Sequence, residues 1–435
     1  MCRNRELLVR SVILATLLLL LLLPLPSHAD PGDLDPDFGK GGVVRVAPAS
    51  SIPPAALAVD DAGRILVAGS VPSNGATGRD FGVLRFLPNG QPDLAFGIGG
   101  RVTTPVTAQD DSAGCLVVLT DGRIVVGGVG GDARHAYPTL ARYLTTGALD
   151  PTFGMGGVAR VPELPKSQGV RCLFATAGGT LTLVDYGRRY TRVARLLPDG
   201  ALDRSFGRRG LTQVQTYAQN IFGFYAEIAA LHSESDILTV AVGFSKVAFE
   251  GGGFALDLES ERKLVLFRLG PTGKLDPTFG RHGTARDNHS RIPDVGGIIG
   301  TPGGGLVIGG RKPNGFFTAR YTADGRRDRA YGMGGMAGRL VPERNARPVS
   351  VLASGVEGGV TLVSGSFGAL SLVRFQADGA SNPDFGEDGL VSLSIPDLLR
   401  TPVAVALPGG KVIVAGVGAE ENLILSRLLL DPELE

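Results

Sequence analysis

Tryptophan is absent from this 435-residue chain, and it has three cysteines and five histidines. So few thiols exclude a disulfide-stapled scaffold. No His-x-x-x-His, Cys-x-x-Cys or calcium-loop spacing occurs, and His28, His135, His232, His282 and His289 are scattered. No metal and no other cofactor is therefore expected. Charge of one sign is lacking too: 43 Lys and Arg face 42 Asp and Glu, a net charge of +1. That excludes the chain-wide basic excess of a nucleic-acid binder. A helical period is missing after residue 30. Gly-x-Ser-x-Gly is absent, although Ser364-Gly365-Ser366 comes near it; that segment sits at a strand end with no helix to follow, which a nucleophile elbow needs. The glycine clusters 251–253 and 303–305 precede no helix either, so they are not phosphate cradles.

Long apolar runs are confined to one place. Arg3, Arg5 and Arg10 precede Val12 to Leu23, and Ser27-His28-Ala29 closes the segment. A positive, then apolar, then small-residue succession is that of a secretory signal, with cleavage expected after Ala29. The alternative is a membrane anchor. A run of about 12 residues is short for that, since a span needs about 20. Asp30 follows the cleavage point where a lipoprotein would need Cys, and Cys2 stands at the wrong end. The expected domains are a signal peptide over 1–29 and one repeat domain over 30–435. The product is expected to be exported to the periplasm or the extracellular space.

Glycine is what the chain has in abundance: 65 residues, with 28 prolines. Many turns and short strands follow from that composition. One phrase recurs, as Leu34-Asp-Pro-Asp-Phe-Gly39, Pro92-Asp-Leu-Ala-Phe-Gly97, Leu149-Asp-Pro-Thr-Phe-Gly154, Leu202-Asp-Arg-Ser-Phe-Gly207 and Leu275-Asp-Pro-Thr-Phe-Gly280. Arg327-Asp-Arg-Ala-Tyr-Gly332 and Ser381-Asn-Pro-Asp-Phe-Gly386 are degenerate copies. The aromatics Phe38, Phe96, Phe153, Phe206, Phe279, Tyr331 and Phe385 are separated by 58, 57, 53, 73, 52 and 54 residues. Each unit reads as four short strands joined by turns such as Asp121-Gly122 and Asn89-Gly90, which are hairpin signals. One four-stranded sheet cannot cover both its faces, whereas seven packed radially can, with no long edge exposed. The expected fold is all-β, a seven-bladed β-propeller of four-stranded antiparallel blades. A parallel β-helix is the runner-up, and the hairpin turns argue against it. The chain starts and ends out of phase with a blade, so the strand at Val43 to Val46 is expected to complete blade seven and close the ring.

The Leu-Asp-Pro-Thr-Phe-Gly phrase, the run Asp121-Gly-Arg-Ile-Val-Val-Gly-Gly128 and Ala141-Arg-Tyr143 resemble the delta-60 repeat of bacterial exported proteins. The resemblance covers all seven copies. It implies a propeller-like fold and no particular activity. Copies four and six depart most, with Arg204 and Arg329 replacing the proline and an insertion in copy four.

Two repeated positions invite a chemical reading. Arg85, Arg142, Arg195, Arg268, Arg320, Arg374 and Arg427 stand in the third strand of every copy. Eight residues on from the first six come Asp93, Asp150, Asp203, Asp276, Asp328 and Asn382. A site present in every blade belongs to the scaffold, so these residues are expected to pin the corner between the third and fourth strands. The recurring Phe is expected to plug the gap between blades. Cys115 and Cys172 fall at equivalent inner-strand positions, which points to buried free thiols, since symmetry-related side chains follow rather than face one another.

What remains is the variable rim, where the blade-joining segments and the links from second to third strand share a face. The longest is 244–263 in copy four. Candidate ligand-face residues are Arg134, His135, Tyr186, Arg188, Arg189, Tyr217, Phe249, Phe254 and Arg311. Arginines with aromatics suit a polar or anionic ligand. The plainer alternative is that the aromatics only pack the insertion down. No set of catalytic residues converges, so the expected function is a non-enzymatic binding or scaffold module for a protein or glycan, acting as a monomer. A lyase or hydrolase acting on saccharides, and a surface or adhesion component, are the alternatives.

Overall fold

A computed structural model describes residues 30–47, 51–73, 78–131, 136–186, 190–216, 224–233, 235–250, 253–256, 263–287, 294–312, 315–341, 349–354, 358–366 and 368–431. The expected signal peptide, 1–29, lies outside the described residues. Among those described, no helix is long and apolar enough to cross a membrane.

Seven antiparallel sheets form, one per repeat. In blade two the strands are Asp111–Val118, Ile124–Gly130, Tyr137–Tyr143 and Val158–Arg160, each hydrogen-bonded to the next in sequence. First strands touch their neighbours all round the ring, including Leu398–Leu407 of blade seven with Pro54–Val59 of blade one. They wall a central channel, and they are only partly buried. The second and third strands are buried on both faces, which explains why their sequences run apolar without alternation, as in Ile124-Val-Val126. The core lies between blades: Leu66, Phe81, Val83 and Phe96 of blade one pack with Ile124, Val126, Ala141 and Tyr143 of blade two.

The protein is therefore a seven-bladed β-propeller. Blade seven consists of Leu398–Leu407, Lys411–Gly418, Leu423–Leu429 and, from the other end of the chain, Val43–Arg45. Val43, Val44 and Arg45 pair with Ser426, Leu425 and Ile424. The first copy of the phrase serves blade seven as well. Leu34 bridges Leu428, and Asp35 accepts from Arg427 Nε at 2.7 Å.

Pairing continues beyond the apolar runs toward the loop face. In blade one it extends through Ser70 opposite Phe81 to Pro72 opposite Arg79, because a ladder needs backbone groups, not a buried side chain. The same effect is largest in the copy-four insertion. A long loop is expected there, but the second strand of blade four runs unbroken over Leu238–Glu250 and turns back into a fifth strand, Gly253–Leu256. Glu250 pairs with Gly253 and Phe249 with Phe254.

Candidate functional site

Antiparallel order puts the links between second and third strands, and those between blades, on one face of the ring. The turns between first and second and between third and fourth strands lie on the other.

On that second face the repeated arginine and aromatic form a ring of joints. Each guanidinium lies over the aromatic of its own phrase, from Arg374 over Phe385 at 4.3 Å to Arg427 over Phe38 at 4.9 Å, in all seven blades. Arg85, Arg142, Arg195, Arg320 and Arg427 each donate through Nε to the aspartate. Arg268 donates instead to Thr239 Oγ1 at 3.3 Å and feels Asp276 by charge alone. Arg374, with Asn382 in the aspartate place, pairs with Asp431 at 2.6 Å. The other arm crosses to the next blade. Arg85 Nη1 reaches Thr145 O at 2.6 Å and Arg195 Nη1 reaches Pro271 O at 2.6 Å. A backbone bond accompanies it, such as Gly97 N to Thr146 O at 2.8 Å. Gly147 in that turn has φ of 90°, and a Cβ there would stand 3.0 Å from the Phe96 ring, so the turn both needs and is sized for glycine.

These contacts set the titration of the belt. Burial alone would raise the Asp150 carboxyl. The hydroxyl and amide of Thr152, the Arg123 hydrogen bond and the charge of Arg142 outweigh it and hold the group well below the usual range. Asp35 is likewise held down, against its burial, chiefly by Arg427.

The loop face is where the ligand candidates are expected. Arg134, His135, Arg188, Arg189 and Tyr217 lie outside the described residues. Phe249 and Phe254 are cross-strand partners in the blade-four hairpin. Arg311 is buried in blade five within Leu306–Lys312, its Cα opposite Phe316, rather than presented at the rim. Tyr186 ends the second strand of blade three, Leu181–Tyr186.

Around Tyr186 the structure gathers groups that were not singled out from the sequence. The first strand of blade three, Val170–Ala175, skips one register position at Arg171, so Arg171 is bulged out and exposed. Bulges re-aim a side chain. Its guanidinium lies 5.0 Å from the Tyr186 ring centre, and Nη2 donates to the Tyr186 hydroxyl at 3.1 Å. One residue before Tyr186 in the strand, Asp185 is fully buried, ion-paired with Arg192 directly opposite in the ladder and accepting from the Ser167 hydroxyl. Arg192 Nη1 also donates to Pro165 O at 2.9 Å. Burial pushes the Asp185 carboxyl up to about 6, although Arg192 and Ser167 pull the other way. The signal for Arg171 was present: bulges at the same place in blades one, two and five carry Ala55, Gly114 and Gly296. Asp185 and Arg192 could be joined only once the register was known.

Cys115 and Cys172 are both free. Burial raises both thiols, Cys172 up to about 12. Among the described residues no three His, Cys, Asp or Glu gather as a metal site.

Comparison with known proteins agrees with this architecture. A family model described as a domain of unknown function, DUF5122 beta-propeller, matches residues 63–96, 119–153 and 177–206. Each match opens in the first-to-second-strand turn and stops at or beside the phrase aromatic, so the repeats are those of a propeller repeat family. No curated protein matches the sequence. Among solved structures, the polysaccharide lyase Uly1 is similar at 10% identity and a TM-score of 0.51, over 87% of this chain and 90% of that one. An ulvan lyase from a new polysaccharide lyase family is similar at 12% identity and a TM-score of 0.50, over 89% of this chain and 96% of that one. At such identity the likeness is one of fold.

Proposed function

We propose that this chain is an exported delta-60-repeat propeller that works as a non-enzymatic binding module, holding a polar or anionic ligand such as an acidic glycan or a peptide carboxylate on the loop face of blades two to five. The observation that carries the reading is the blade-four hairpin Leu238–Glu250 and Gly253–Leu256, an addition that the other six blades lack among the described residues. Beside it in the ring, blade three presents the exposed Arg171 stacked on Tyr186. A planar guanidinium held by a phenol offers donors already fixed for a carboxylate or sulfate.

Replacing 246–262 by a short Gly-Ser turn, and separately making Arg171→Ala, tests it against a panel of acidic and neutral oligosaccharides. Wild type should bind acidic members, and each variant should lose about tenfold in affinity with its melting temperature preserved. Unchanged affinity in both variants removes the loop face as the binding surface. Export is checked by intact mass of secreted material, which should begin at Asp30; a product retaining Leu17 to Leu23 would overturn it.

The enzymatic alternative, a lyase or hydrolase on saccharides, takes its motive from the two polysaccharide lyases of similar fold and from Asp185, a carboxyl that burial pushes up to about 6. A depolymerisation assay on uronate polymers separates the readings. No chain shortening is expected; shortening that Asp185→Asn abolishes would establish the enzyme.

A further inference from the structure

An open groove of about 1040 Å³ runs along the outer edge of the ring between blades four and five. One wall is the outermost strand of blade four, Thr284–Asp287, with the turn before it; the other is the third-to-fourth-strand corner of blade five. Five arginines line it: Arg281, Arg286, Arg326, Arg327 and Arg329. Only Asp287 among the lining residues opposes them, and it is already engaged by Arg327 and by the Tyr321 hydroxyl at 2.9 Å. Arg327 is paired with Asp287 and Arg326 with Asp324 at 3.3 Å, which leaves the groove with an excess of about three positive charges. Arg281, Arg286 and Arg329 are exposed and make no ion pair among the described residues; buried Arg327 Nε has no hydrogen-bond partner.

The groove is a product of the scaffold, but its positive charge exceeds that of the next groove round the ring. The corresponding space between blades five and six, about 940 Å³, is lined by Met333, Phe316 and Leu340 with two cations, Lys312 and Arg339, the latter tied to Asp388 at 2.9 Å. The first residue after the phrase glycine is exposed in every blade and reads Lys40, Ile98, Met155, Arg208, Arg281, Met333 and Glu387 around the ring. Arg329 itself stands where four other copies carry Pro36, Pro151, Pro277 and Pro383. Unpaired guanidiniums this close repel one another, and a ligand with repeated anionic groups relieves that repulsion.

We propose that the groove between blades four and five binds a segment of anionic polysaccharide bearing sulfate or carboxylate groups, a site separate from the loop face. The recess excludes a flat bilayer. Of the two rings that line it, Tyr321 is buried and only His282 is exposed, so the lining offers no row of aromatics on which successive bases could stack, which disfavours single-stranded nucleic acid.

The test uses the whole mature chain with oligomers of dextran sulfate, polygalacturonate, uncharged dextran, a single-stranded DNA of matched charge, and phosphatidylserine-containing vesicles. Dextran sulfate or polygalacturonate should bind, and dextran should not. The triple variant Arg281→Glu, Arg286→Glu, Arg329→Glu should weaken binding by at least about tenfold and flatten its salt dependence by about three released counterions. These side chains are exposed and unpaired, so melting should be unchanged; if it is not, single Arg→Gln variants replace the triple. Lys40→Glu, the same blade position across the ring, should bind like wild type, and so should the hairpin replacement of 246–262. The proposal is overturned by tighter binding of DNA or vesicles than of either polysaccharide, by equal loss in Lys40→Glu, or by a triple variant that binds normally.

Discussion

Arg142 does four things at once: it stacks 4.5 Å over Phe153, donates to Asp150 and to Thr152, and reaches Pro198 O of the next blade. It is 2% exposed, so its removal leaves a buried carboxylate, and Arg142→Ala should cost roughly 3–5 kcal/mol. Arg268 is partly exposed and has no direct bond to Asp276, so Arg268→Ala should cost distinctly less. Denaturant unfolding of the two variants side by side checks the order, and equal losses would mean that the stacking alone matters. Phe153→Ala should cost roughly 3–5 kcal/mol through the cavity it opens. Asp185 gives an opposite pH signature to the belt. Its folded value, about 6, lies above the unfolded value of 3.8, so the folded state binds the extra proton. Its contribution is fully present below about pH 3.8 and is lost as pH rises to about 6, a change of about 3 kcal/mol. The belt carboxylates are depressed, so theirs is present above about 3.8 and is lost as pH falls through their folded values. Unfolding free energies between pH 4 and 7 should therefore fall more steeply in wild type than in Asp185→Asn. An identical slope in the two would remove Asp185 as the titrating group.

At the scale of the strand, closure depends on a segment that carries both a strand and a belt aspartate. Val43–Arg45 completes the blade-seven ladder, while Asp35 receives Arg427 and Lys411, the latter at 3.3 Å. Phe38 meets the glycine turn of blade one at Gly90. Deleting 30–48 thus removes the fourth strand, the plug and the ion pair together, and the melting temperature should drop by many degrees. A deletion variant melting at the wild-type temperature would refute closure by the N-terminal strand. The first strands of blades two and three carry the two thiols, Cys115 buried and Cys172 half-buried between neighbours. Both should resist an aromatic disulfide reagent in the folded protein and react, two per mature chain, once unfolded.

For the whole molecule, seven joints built on the same stack of arginine over an aromatic link the blades, and each blade shares its core with the next. Function then has to be sought where the repeat breaks, at the blade-three and blade-four rim and at the basic groove. The two can be told apart because one lies on the loop face and the other at the outer corner.

The repeat phrase, its spacing and the hairpin turns were enough to read the architecture, the blade number and the closing strand, because a propeller is periodic and each blade obeys local rules. The insertion was visible as a step of 73, but its form was not: Phe249 and Phe254 became strand partners through backbone pairing, which residue type barely constrains. Arg171 could have been noticed by aligning inner strands. Asp185 with Arg192, and the arginines of the groove, are separated along the chain, and a net charge of +1 conceals their clustering. Only the strand register and the ring, which bring blade four against blade five, decided which charges meet.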